Sequence, residues 1–69
     1  MDDREKKRFI AVWEAMQVIG FEHLPDPRSS AWDPAVRRAR HLLDHHGQEW
    51  IRSHVHILRA EFASMGNGG

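Results

Sequence analysis

The sequence contains no cysteine and no tyrosine. Without cysteine there is no disulfide, so the chain is not a disulfide-built secreted mini-protein. The net charge is zero, with ten acids against ten bases. That balance argues against an electrostatic partner such as nucleic acid or an anionic membrane, unless the charges are segregated. They are only mildly so: four bases against three acids leave residues 1–13 at +1, and the fourteen residues from Pro34 to Gly47 reach +2. No run approaches the ~20 apolar residues of a membrane span. Arg4, Lys6, Lys7 and Arg8 before Phe9–Trp13 loosely imitate a secretory leader. Glu14 and Gln17 interrupt the apolar stretch, no small-residue cleavage site follows, and the segment reads as a helix. A cytoplasmic location is the expectation.

Catalytic signatures are missing too. There is no glycine-rich phosphate loop, no nucleophile elbow and no thiol. A chain of 69 residues rarely encloses the several-hundred-Å³ pocket that excludes water from a reaction. The reading is therefore not an enzyme and no cofactor. A chain this short buries only about 60% of its unfolded surface, so its core is marginal. With disulfides ruled out, stability rests on tight packing, a second subunit or a metal.

The pattern that is present is helical. Phe9, Val12, Trp13, Met16 and Ile19 fall within about 120° on a wheel, which predicts a helix over 3–19, capped by Asp2 or Asp3 and stopped by Gly20. Pro25 and Pro27 break helix through a long connection, 20–33, in which Phe21, Leu24 and Trp32 predict packing against the helix ends. Asp33 as cap and Pro34 at the first helical position predict a second helix over 34–45, with Val36, Ala39, Leu42 and Leu43 as its stripe. The stripe after Gly47 (Ile51, Val55, Leu58, Phe62, Met65) is offset from the preceding one by about 120°, in the sense opposite to coiled-coil drift. A break at Gly47 accounts for the offset and gives a third helix over 48–65. The alternative is a helical hairpin continuous through Gly47. The expected architecture is an all-α, three-helix bundle-like domain over 1–65 with a flexible tail, 66–69.

Three sets of residues are candidates for function. His41 and His45, four apart, can share one metal ion on a helix, completed by another subunit. Arg37, Arg38, Arg40 and Arg52 around the Gly47 turn suggest a helix-turn-helix binding DNA. Against it, the helix after the turn opens Gln48-Glu49-Trp50 and its few cations are offset by acids. The third set is apolar. Trp13 and Trp50 lie on stripes and read as core, whereas Trp32 lies in the connection and reads as a contact residue. Trp50, His54, Leu58 and Phe62 on a broad third helix, with Ile57 off its centre, complete an expected interface. The preferred function is a non-catalytic interaction module or regulator, acting as a homo-oligomer or as a subunit or adaptor of a larger complex. Its partner is itself or another protein; DNA binding and metal binding are the alternatives. Should His46 and His54 be buried and neutral, acid would loosen the fold below about pH 6.

Overall fold

A computed structural model describes residues 2–67. Four helices run in the order α1 (Asp3–Ile19), α2 (Trp32–His46), α3 (Gln48–Ser53) and α4 (Val55–Asn67), with a 3₁₀ turn at Phe21–His23 and no strand among the described residues. Helix α1 has the expected bounds. The Asp2 carboxylate accepts from the Arg4 amide at 3.5 Å, and Gly20, at φ 102°, donates its N–H to Met16 O at 2.9 Å. The last carbonyl of α1, Ile19 O, accepts from Arg59 Nε of α4 at 2.7 Å. A guanidinium at a helix C-terminus satisfies an orphan acceptor and favours the negative end of the dipole. Replacing Arg59 with methionine should cost about 1.5–3 kcal/mol, read as a fall in the denaturant midpoint.

The connection folds as a series of turns. Leu24 packs against the core and Pro25 is buried. The Asp26 carboxylate accepts from the Arg28 amide, and Asp26 O accepts from both the N–H and Oγ of Ser29. Ser29 O then accepts from the Trp32 amide. Helix α2 therefore starts at Trp32, two residues before the expected first helical position, Pro34, with Ala31 at the cap and no side-chain cap bond. Pro34 sits third in the helix, where an amide has no intrahelical acceptor, so the missing N–H costs nothing. Asp33 acts through its charge near the helix N-terminus instead of as the cap.

Gly47 ends α2 at φ 88°, ψ 171°, a conformation open essentially to glycine alone. Helices α2 and α3 are thus separate, as the stripe offset predicts. The single third helix is not: it is interrupted at His54, whose amide is shared between Trp50 O (3.0 Å) and Ile51 O (3.3 Å). Ser53 Oγ donates toward Glu49 O and Trp50 O, and His54 Nδ1 lies 2.8 Å from Trp50 O. Side chains inserted into the carbonyl ladder bend a helix, and Ser53 and His54 do so in succession. Beyond this kink α4 runs through Gly66 to Asn67; the remaining expected tail residues lie outside the described ones.

The core gathers Val12, Ala15, Met16 and Ile19 of α1, Ala35, Ala39 and Leu42 of α2, Ile51 of α3, and Leu58 and Phe62 of α4. Three fully buried alanines, Ala15, Ala35 and Ala39, lie on the two helices that pack most extensively on one another. Small side chains let helix axes approach to about 8 Å. Ala15→Leu should therefore overpack the seam and cost about 1–3 kcal/mol in chemical denaturation. Arg8 pairs with Asp44 between α1 and α2, and Arg38 donates from Nε and Nη2 to the Glu61 carboxylate at 3.0 and 3.3 Å between α2 and α4.

Candidate interaction surface

The core face of α1 is rotated from the face that the sequence suggests. Alanine at position 15 takes its centre, and the two largest stripe members are displaced to the edge. Phe9 is 67% exposed and Trp13 44%. Trp13 is therefore not a core residue. Ile10, 48% exposed, and Phe21, 42% exposed on the 3₁₀ turn, join them. On a wheel Phe9, Trp13 and Ile10 span about 100°, next to the arc that carries Val12, Ala15, Met16 and Ile19. The rings form one row: the Phe9 and Trp13 centroids lie 6.4 Å apart in a stacked arrangement, and those of Trp13 and Phe21 lie 5.0 Å apart. A groove of about 460 Å³ adjoins the row. Phe9, Val12, Trp13 and Met16 line it from α1 and Trp32 and Val36 from α2; its charged members are Glu5, Arg8, Asp33 and Arg40.

Such a surface is costly to leave in water. Each large apolar side chain withdrawn from solvent contributes about 1.5–3 kcal/mol, and contiguous apolar patches mark contact sites where scattered residues do not.

The residues expected from sequence to form the interface are divided by the fold. Leu58 and Phe62 point into the core and offer nothing to a partner. Trp32 is half-buried, packed on the core and in the groove wall. Ile57 is 69% exposed on α4, and a single exposed apolar residue is ordinary. Trp50 and His54 belong to a different arrangement. Trp50 is sandwiched between His46 and His54, with centroids 3.9 and 4.1 Å away and planes within 16° and 14°. This three-ring stack spans both the Gly47 turn and the His54 kink.

His41 and His45 are exposed, with ring centroids 4.1 Å apart. No third His, Cys, Asp or Glu converges on them among the described residues. A metal there would need donors from another molecule. His46 is exposed and no polar residue is buried among the described residues, which removes the premise of acid loosening through buried histidines. The arginines do not form one basic face: Arg38 is held by Glu61, Arg40 lines the groove, and Arg37 and Arg52 are exposed on α2 and α3.

Gln48 was not singled out by its sequence. Its Nε2 donates to Ala11 O at 2.8 Å, tying α3 to the back of α1, while its Oε1 has no partner. Removing donor and orphan acceptor together is nearly neutral, so Gln48→Met should shift stability by less than about 1 kcal/mol. Gln48→Glu sets a carboxylate against a carbonyl and should cost about 2 kcal/mol or more, compared by urea denaturation at neutral pH.

Fold and surface together define a small all-α domain with an unpartnered aromatic face on its first helix; among the described residues no helix is long and apolar enough to cross a membrane. Compared with protein-family models, curated proteins and solved structures, the chain matches none.

Proposed function

We propose that this chain is a non-catalytic protein–protein interaction module, working through the α1 face as a self-associating protein or as a small subunit of a larger assembly. The observation that carries the reading is the continuous Phe9–Trp13–Phe21 row, with Ile10 beside it. Aromatic side chains in desolvated contacts supply most of the free energy at interfaces, and they do so with few rotatable bonds to order. The adjoining groove supplies a recess with charges of both signs, Glu5 and Asp33 against Arg8 and Arg40. That pattern gives a partner both a hydrophobic centre and a polar edge.

The test is the size of the chain at native abundance in the cells that make it. The wild type should migrate well above its own 8.1 kDa, and Phe9→Ser should return it to monomer size. Phe9 is largely exposed, so the variant should melt within about 0.5 kcal/mol of wild type. Monomer-sized wild type, or an assembly indifferent to Phe9→Ser, overturns the reading.

A further inference from the structure

We propose that His41 and His45 chelate one divalent transition ion of the zinc, nickel or copper class, with water filling its remaining positions. The pair lies near the C-terminal end of α2 and is separate from the aromatic row of α1. Both side chains are exposed, and their ring centroids are 4.1 Å apart with planes tilted by 44°. Residues four apart stand one above the other on a helix, so the backbone already holds both rings on one side. A zinc ion takes imidazole nitrogen at about 2.0–2.1 Å, and two such bonds at a tetrahedral angle set the nitrogens about 3.3 Å apart. Rings at the observed spacing reach that separation by turning about their own side-chain bonds. The ion's charge also meets the negative end of the α2 dipole.

The other histidines are engaged elsewhere or stand alone. The His46 ring lies 6.4 Å from that of His45 but is stacked on Trp50 at 3.9 Å. His54 stacks on the opposite face of Trp50 and holds its Nδ1 2.8 Å from Trp50 O. His23 lies 3.5 Å from the Glu22 carboxylate, and His56 is exposed and belongs to no ring pair among the described residues.

The donor set fixes the class of ion. Imidazole nitrogens without a carboxylate suit zinc, nickel and copper, whereas calcium and magnesium take oxygen. Asp44, the acid between the two histidines, pairs with Arg8 instead. Glu49 would extend the row on an unbroken helix, but Gly47 ends α2 before it, and no third His, Cys, Asp or Glu joins the pair among the described residues. A closed structural zinc site has four protein ligands. With two, this site holds its ion loosely and keeps positions open. The bound ion links successive turns at the end of α2 and therefore stabilises the fold by mass action.

Zinc chloride titrated into the untagged protein, followed by the imidazole proton resonances, tests this. The signals of His41 and His45 should move together and saturate at one zinc per chain, while those of His23 and His56 stay in place. Loss of an outer-shell partner already weakens a metal site about tenfold or more, so His41→Ala and His45→Ala should each cost at least that. His56→Ala should cost nothing. Zinc should raise the denaturant midpoint of the wild type but not of His41→Ala. Copper should bind more tightly than nickel or zinc, and magnesium should not bind. Positions 41 and 45 are exposed and alanine is the strongest helix former, so the variants keep their fold. No response at about 1 mM zinc, the weak end of specific binding, overturns the chelate. So does a response spread evenly over all six imidazoles, or binding that survives both alanine variants. A shift with magnesium equal to that with zinc overturns the nitrogen donor set.

Discussion

Replacing Phe62 by alanine should remove about 3–5 kcal/mol of folding stability. Phe62 is the largest fully buried side chain and contributes from α4 to a core built from all four helices. Truncation loses the transfer free energy of the ring and leaves a cavity that rigid neighbours only partly fill. For a domain of this length the whole stability is about 3–10 kcal/mol. The substitution therefore consumes roughly 30% of it at least. At about 4–8 °C per kcal/mol the thermal midpoint should fall by ~12–40 °C. Ile57→Ala, two helical turns or less away but on the solvent side, should move it by only about 0.5 kcal/mol. A melt recorded by circular dichroism separates the two. Equal effects at positions 57 and 62 would mean that α4 does not present the face described.

Gly47→Ala should cost about 1–3 kcal/mol, and purely through the backbone. A Cβ at Gly47 would meet nothing within 4 Å, so no clash contributes. The cost comes from φ 88° with ψ 171°, which L-residues avoid. Asparagine, which substitutes for glycine in left-handed helical geometry, should not rescue this position because its ψ differs from that geometry by more than 100°. A chain made by synthesis with D-alanine at position 47 should match the wild type or exceed it by about 0.4–1 kcal/mol, since the residue accepts positive φ and narrows the unfolded ensemble. Denaturant midpoints of the wild type and the three variants give the comparison. An L-alanine variant as stable as the wild type would show that the α2–α3 turn does not need this geometry.

The cost has a structural meaning. The apolar stripes before and after Gly47 are offset by about 120°. A continuous helix would carry Ile51, Leu58 and Phe62 away from Ala39 and Leu42. The glycine supplies the rotation that lets both stripes reach one core.

Much of the fold is legible in the residue order because it is set locally. The bounds of α1, its Asp2 cap, the Gly20 stop and the Gly47 break follow from backbone restrictions that neighbouring residues impose on each other. The start of α2 departs from its local signal because proline in a first turn forfeits no hydrogen bond, so the helix can begin earlier. The kink at His54 escapes the pattern because the apolar stripe continues across it; only the bonds from Ser53 and His54 to the carbonyls reveal it.

The surface is where sequence reading stops. Apolar residues cover more than half the circumference of α1, and periodicity alone leaves open which arc turns inward. That excess was itself the available signal for a second contact. The choice fell to the packing of α1 on α2, which buries Ala15, Ala35 and Ala39 completely and leaves Phe9 and Trp13 exposed. The amino-acid sequence by itself determined an all-helical chain with breaks at Gly20 and Gly47, because those features depend on residues a few positions apart. Only tertiary packing decided that Trp13 faces outward, that Leu58 and Phe62 face inward and that Arg38 is held by Glu61, because each depends on what another helix brings to the same place.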